Sequence, residues 1–380
     1  MVDNCNQTEL LRKASLWLTF GFYFLIAFEF FYMISPFAVY LYSVYGPGLE
    51  LFARYQATNW LNITFLPHVV MDTHSIFLNN VVKIGLLLFS FGLLLFFVGA
   101  GQIYWGKLRR KAAVCEGLYF LVRHPQYSAL MFAGFGMLLL WPRYIVLVSY
   151  VSMLFIYVLL ARFEEKECLR KFGSSYRKYH IRTPMFFPLF NAPADRKARS
   201  CRLFGKIGRY TAMYVLVMST AILGASSIQS WALNQLYAEF RQDSVNISAQ
   251  ALDPEVINAM LALALDNQQA RRLIARGGEK QKYINYIVPI NWSASEIPMR
   301  QVVSQEHFNF DQNDTRERYK IIITRAVLSD PNATGKEIVG ATRQRIPLAE
   351  VTIDFHTKEV LDVQGPATEG GISGIPLPMF

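Results

Sequence analysis

Apolar residues arrive in long unbroken blocks up to about Trp231, and after Asn234 they alternate with polar ones as in a water-soluble chain. The hydrocarbon core of a bilayer takes about 20 apolar residues per helix. Blocks of that kind run from Leu16 to about Tyr42, from Val81 to Tyr104, from Arg143 to Ala161 and from Tyr210 to Trp231, with a shorter one from Tyr127 to Leu140. Trp141-Pro142-Arg143 separates the short block from the one after it. Proline inside a helix removes a backbone donor and clashes with the preceding turn, so these two blocks are expected to form a tight helical hairpin. The pattern thus predicts five spans. The first block is too long for a signal-peptide core and lacks a small-residue cleavage site, so it is expected to be retained.

The tail follows other periods. Asp253-Pro254-Glu255 reads as a helix start, with a cap residue, a proline in the first turn and an acid near the positive end of the helix dipole. That helix is expected to run through Leu261 and Leu273 to Gly277, a terminator placed behind Arg271, Arg272 and Arg276. Tyr319 to Leu328 is rich in Ile and reads as a strand, and Val351-Thr352-Ile353-Asp354-Phe355 alternates before a turn at His356-Thr357-Lys358 and a return over Val360 to Val363. The expected fold class is mainly α: a polytopic helical membrane domain of about five spans, including the tight hairpin, with a C-terminal extracytoplasmic α+β domain. Residues 1–209 form the expected membrane domain, 210–234 the final transmembrane helix and 235–380 the soluble domain.

Composition sharpens this picture. The chain is 53% hydrophobic and only 17% charged, against about 25% charged in soluble domains, which excludes an ordinary soluble enzyme and a disordered chain alike. Met1 to Asn234 holds 23 Lys+Arg against 10 Asp+Glu, a balance of +13, whereas the remainder holds 15 against 18, a balance of −3. The positives flank apolar blocks, the distribution of the positive-inside rule. No module with interleaved basic and aromatic residues accompanies them, so no nucleic-acid partner is expected.

Orientation follows from where the cations fall. Lys107, Arg109, Arg110, Lys111 and Arg123 lie between the second and third blocks, and 13 further Lys+Arg lie between Arg162 and Arg209. Both segments are expected to face the cytoplasm, which places the N-terminus inside and residues 235–380 outside. Cys5, Cys115, Cys168 and Cys201 then all fall on the cytoplasmic side, with neither a disulfide framework nor a zinc spacing. The expected location is a bacterial cytoplasmic (inner) membrane with the C-terminal domain in the periplasm. Six Asn-x-Ser/Thr triplets, including Asn62, Asn246, Asn291, Asn313 and Asn332 on the expected outside, carry meaning only in a eukaryotic secretory setting.

The segment with chemical content is Gly117-Leu118-Tyr119-Phe120-Leu121-Val122-Arg123-His124-Pro125-Gln126-Tyr127. A residue before proline is pushed out of the helical region, and here that happens where the chain re-enters the membrane. The hairpin returns the chain to the same side at Glu164-Glu165, followed by Phe172-Gly173-x-x-Tyr176-x-x-Tyr179. Arg123 and His124 are therefore expected near Glu164 and Glu165. Cations and acids at one apolar–aqueous boundary suit a zwitterionic ligand, whose carboxylate and amine or ribose hydroxyls they hold by charge-assisted hydrogen bonds.

In order and spacing these residues resemble the integral-membrane methyltransferases, the group that includes isoprenylcysteine carboxyl methyltransferases and phosphatidylethanolamine N-methyltransferases. The shared signature is Arg-His-Pro-x-Tyr, a membrane hairpin, Glu-Glu and Phe-Gly-x-x-Tyr-x-x-Tyr, and it spans roughly Gly101 to Pro188 here. The resemblance implies that residues 1–209 form a methyltransferase-like domain, with S-adenosylmethionine bound on the cytoplasmic side and a membrane lipid or lipidated acceptor entering from the bilayer. It implies Arg123 and Glu164 as catalytic residues, and Tyr119, His124, Pro125, Tyr127, Glu165, Tyr176 and Tyr179 as cofactor-binding residues, with no metal. The chain departs from the pattern at Ala129, where the family commonly has glycine two positions after the motif tyrosine. The final span and residues 235–380 lie outside the common core, and the tail is expected to contact a membrane-protein partner or to shield the membrane part.

Two other readings fit the same residues. One is a non-catalytic subunit of a membrane complex that keeps the scaffold, which failure to bind S-adenosylmethionine would select. The other is an NADPH-dependent membrane reductase, because sterol reductases resemble the same signature; those have more spans, and no Gly-x-Gly-x-x-Gly loop occurs here. Elsewhere, Glu29 is an acid inside the first block, where acids are usually functional or paired. His68, Asp72 and His74 are potential ligands whose spacing fits no standard metal site.

Overall fold

The computed structural model describes residues 31, 34–40, 52, 55, 57–67, 70, 72–108, 116–188, 203–275, 281–290, 293–294, 308–309 and 318–365. Most of the first predicted block, Glu29, His68, Arg109 to Lys111 and Gly277 lie outside the described residues. Three helices are long and apolar enough to cross a membrane, over Ile76–Gly106, Tyr144–Arg182 and Ile207–Leu233, as expected of a membrane protein. They belong to α1 (Ile76–Leu108), α4 (Tyr144–Arg182) and α5 (Leu203–Leu233). Between α1 and α4 lie the four-residue α2 (Leu118–Leu121) and the 16-residue α3 (Pro125–Leu140), which is shorter than a full span. Only 6% of the most apolar stretch of α5 is buried inside the protein. A helix apolar on every side and so little covered by protein is built for a lipid solvent.

The chain forms two compact units. The first comprises Met1–Ser43, Gly85–Met137 and Ser149–Val215, the second Val44–Ile84, Leu138–Val148 and Leu216–Phe380. In the first unit α1 and α3 meet backbone to backbone. A Cβ added at Gly92 would lie 2.4 Å from Ala133 N and 2.7 Å from Ala129 O, and one added at Gly136 would lie 2.4 Å from Phe89 N. Small residues let membrane helices approach this closely. Ala129 is buried at this crossing, with its carbonyl oxygen facing Gly92. Tyr40 donates to the Gly134 carbonyl at 2.7 Å and fixes residues 34–40 against the same helix.

The fourth predicted block ends at Ala161, but α4 continues to Arg182, because Arg162 to Phe172 are good helix formers that need no bilayer. The helix is broken at Gly173, with φ 55° and ψ −125°. That combination belongs to a tight reversing corner open essentially to glycine. The reversal is real: Glu165 and His180, 15 residues apart, touch at 3.2 Å, whereas in a straight helix they would be separated by about 22 Å.

The second unit holds a six-stranded sheet in the order β1-β2-β3-β6-β7-β8, from β1 (Ala238–Phe240), β2 (Ser244–Ser248), β3 (Lys282–Pro289), β6 (Arg318–Leu328), β7 (Thr342–Asp354) and β8 (Glu359–Gln364). Short β4 (Ser293–Ala294) and β5 (Phe308–Asn309) pair separately. Only β2 and β3 are parallel, as their crossover through α6 (Pro254–Asp266) and α7 (Gln268–Ala275) requires. Ile257, Met260, Leu261 and Ala264 of α6 pack on Ile287, Ile321, Ile323, Val351 and Ile353 of the sheet. The final hairpin is where the alternation placed it, with Lys358 at φ 58° in its turn.

The tail helix differs from expectation: it is two helices rather than one. Asn267 adopts an extended backbone, φ −67° and ψ 127°, and its Oδ1 accepts from Gln269 N at 2.9 Å and Ala270 N at 3.2 Å, capping α7. A side chain that bonds its own following backbone competes with helix continuation. Of the Asn-x-Ser/Thr sites, Asn62 and Asn246 are fully buried and Asn332 is exposed, while Asn291 and Asn313 lie outside the described residues.

Candidate functional site

The site lies within the first unit and starts from a helix that cannot continue. Gly117, with φ 65°, begins α2, whose Leu118 N–H is accepted by Gln102 Oε1 at 3.1 Å. Val122 is extended, φ −143° and ψ 153°, and Pro125 keeps His124 out of the helical region before opening α3 as its first residue. The extended pair is tied down by backbone bonds, Arg123 N to Pro184 O at 2.9 Å and His124 N to Met185 O at 3.1 Å. Ser128 Oγ bonds Phe186 O at 2.8 Å and closes this strip. Both side chains are thereby fixed beside the first turn of α3.

The hairpin then brings Glu164 and Glu165 of α4 onto them. Arg123 Nε lies 2.8 Å from Glu165 Oε1 with its N–H turned off the oxygen, a Coulombic pair rather than an aligned hydrogen bond. His124 Nε2 lies 3.2 Å from the same oxygen, and His124 Nδ1 lies 3.4 Å from Glu164 Oε2. A carboxylate only accepts, so an imidazole that faces one at each nitrogen must carry both protons. Burial disfavours the charged ring, but the hydrogen bonds and charges of Glu164 and Glu165 outweigh it, and the His124 pKa is raised. Tyr127 donates to Glu164 Oε1. Its ring lies between those of His124, 5.6 Å away and nearly parallel, and Tyr157, 4.7 Å away.

The limb after Gly173 completes the cluster. His180 Nε2 lies 3.2 Å from Glu165 Oε2 and therefore carries a proton, and the His180 carbonyl accepts from Arg123 Nη1. Tyr179 donates to the Tyr119 carbonyl at 2.6 Å, Tyr119 donates to Gln126 Oε1 at 2.6 Å, and Tyr176 packs against the rings of Tyr179 and His180.

The sequence-predicted residues thus separate into two sets. Arg123, His124, Tyr127, Glu164 and Glu165 are in direct mutual contact. Tyr119, Tyr176 and Tyr179 form a supporting layer that reaches them through Gln126 and His180, and Pro125 contributes backbone geometry alone. The two glutamates are not equivalent. Glu165, 8% exposed, has both oxygens engaged by Arg123, His124 and His180. Glu164 is 43% exposed. Arg123 Nη2 has no partner among the described residues. Glu164 thus presents a half-exposed carboxylate held by Tyr127, beside an Arg123 side chain that is only 10% exposed.

His180, Gln126 and Tyr157 were not singled out by sequence. His180 directly follows the second motif tyrosine, and only the reversal at Gly173 brings it to Glu165. Among the described residues no cluster of three His, Cys, Asp or Glu is arranged to hold a metal ion. No family model, curated protein or solved structure matches the chain.

Proposed function

We propose that the first unit binds S-adenosylmethionine and transfers its methyl group to a lipidic or membrane-embedded acceptor. The observation that carries the reading is the joining of Arg123, His124, Glu164 and Glu165 from chain segments some 40 residues apart into one ordered cluster that leaves a guanidinium nitrogen of Arg123 unpaired and the Glu164 carboxylate half-exposed. Arg123 Nη2 is the group for the cofactor's carboxylate, and Glu164 the acceptor for its amine or a ribose hydroxyl. Glu165 holds Arg123 and His124 in place, and Tyr127 fixes Glu164. The bound cofactor supplies an electrophilic methyl on a sulfonium; the chain's own contribution is alignment and exclusion of water.

In this reading the protein has five spans, lies in a bacterial cytoplasmic membrane with the N-terminus and Arg162 to Arg209 inside, and places residues 235–380 in the periplasm, where they meet a membrane-protein partner. A cysteine introduced at Asp330 should react with a membrane-impermeant maleimide from the periplasm alone. Labelling from the cytoplasm alone would overturn the topology.

A second reading draws on Glu165: a carboxylate saturated by the protein's own cations also suits a non-catalytic scaffold subunit. Calorimetry of the detergent-purified chain separates the readings. The enzyme reading predicts saturable binding of S-adenosylmethionine and S-adenosylhomocysteine and none of NADPH. Silence toward the first two at millimolar concentration selects the scaffold, and binding of NADPH alone selects a reductase.

A further inference from the structure

The fold-back at Gly173 does more than complete the site. Lys166, Arg170 and Lys171 on the outgoing limb of α4 and Arg177, Lys178 and Arg182 on the returning limb are all exposed. In a straight helix Lys166 and Arg182 would stand about 24 Å apart; the contact of Glu165 with His180 sets the two limbs side by side instead. Of the acids on the outgoing limb, Glu165 is engaged by Arg123, His124 and His180, Glu164 by Tyr127 and His124, and Glu167 by Arg170 at 2.7 Å and Lys171 at 3.5 Å. Lys166, Arg177, Lys178 and Arg182 have no ion pair or hydrogen bond among the described residues.

The cations do not stand alone on this face. Phe163 on the outgoing limb is 67% exposed, Ile181 on the returning limb 56% and Phe120 of α2 74%. α2 is tied to the returning limb, since the Tyr119 carbonyl accepts from Tyr179. Uncompensated cations interspersed with bare apolar side chains, at the end of a helix apolar enough to span a bilayer, match the level where headgroups meet acyl chains. We propose that the helical hairpin over residues 162–182 is a docking surface for anionic phospholipid, whose phosphates the four unpaired cations receive while Phe163, Ile181 and Phe120 lie among the chains. The proposal stands apart from the cofactor reading, since among the described residues none of the four cations is paired with Glu164 or Arg123.

Each cation near an anionic leaflet contributes about five-fold in affinity. The test is thermal unfolding of the full chain in neutral detergent, titrated with phosphatidylglycerol, phosphatidylcholine, inorganic phosphate or heparin. Phosphatidylglycerol should raise the melting temperature and phosphatidylcholine should not, with the effect weakening in high salt. The variant Lys166→Gln, Arg177→Gln, Lys178→Gln, Arg182→Gln should need at least about ten-fold more phosphatidylglycerol for the same shift. A control, Arg272→Gln with Lys358→Gln in the second unit, should behave as the wild type. Equal responses to the two lipids would overturn the proposal, as would a four-fold variant that responds like the wild type. A shift reproduced by inorganic phosphate or by heparin without lipid would assign the surface to free phosphate or to a soluble polyanion instead.

Discussion

Replacing Gly173 by alanine tests the reversal of α4 on which the site depends. Nothing lies within 4 Å of where the new Cβ would be, so no clash contributes and the whole effect is conformational. Holding a residue other than glycine at φ 55°, ψ −125° costs on the order of 1–3 kcal/mol. The strain acts on the returning limb, whose attachments are the His180–Glu165 contact, the Tyr179–Tyr119 bond and the Arg123–His180 bond. Opening of that limb should therefore become roughly 5- to 150-fold more populated. Hydrogen exchange followed by mass spectrometry reads this directly, as faster exchange confined to residues 174–182. Gly224→Ala in α5 is the matched control: it also meets nothing within 4 Å, and its φ is not positive. There alanine should be neutral or stabilising by about 0.5–1 kcal/mol, the ordinary helix preference. If both variants behave alike, the corner at Gly173 does not hold the limb and the site's geometry has another origin.

Further predictions separate the roles of individual groups. Glu164→Gln should weaken S-adenosylmethionine binding about ten-fold with little change in melting temperature, whereas Glu165→Gln should destabilise the unit by about 3–5 kcal/mol, because it leaves the buried Arg123 and His124 charges unmatched; similar melting temperatures for the two would contradict that division. His180→Gln retains a donor at the Nε2 position and should bind as the wild type, while His180→Ala should lose about ten-fold; equal losses would mean the Glu165 contact is idle. The raised pKa of His124 gives stability that is complete below its unfolded value of about 6.5 and is lost as pH rises through the folded value. Melting temperature should accordingly fall as pH rises above about 6.5 in the wild type, and His124→Gln should flatten that part of the curve. Gly92→Val places side-chain atoms where a Cβ alone would be 2.4 Å from the Ala133 nitrogen, so α1 and α3 must separate and the purified yield should drop sharply; normal yield and stability would refute the close crossing.

Much of this arrangement was legible in the residues because one dominant force set each part. Long apolar blocks have few alternatives to long helices, and Trp141-Pro142-Arg143 could only divide two of them. Richness in Ile marked β6, and alternation before a turn marked the end of β7 and its return over β8. The strands β1 to β3 escaped notice because β1 and β2 are short and because Ile284 to Val288 of β3 are all buried, so that β3 shows no clean alternation. The tail helix was over-extended because Asn267 fits a helix interior about as well as a cap, and its side-chain bonds decide only once α7 has formed. At the site the pairing of Arg123 and His124 with Glu164 and Glu165 follows from the hairpin alone. The part of His180 does not, since it rests on one glycine dihedral.

The proposed position of S-adenosylmethionine against Arg123 and Glu164 is tested most directly by ultraviolet cross-linking of cofactor labelled in its methyl group, followed by peptide mapping. Label is predicted on peptides covering residues 117–127 and 162–182, suppressed by excess S-adenosylhomocysteine and lost in Arg123→Ala. Label that falls on residues 235–365, or that survives the competitor, would contradict the assignment of the site.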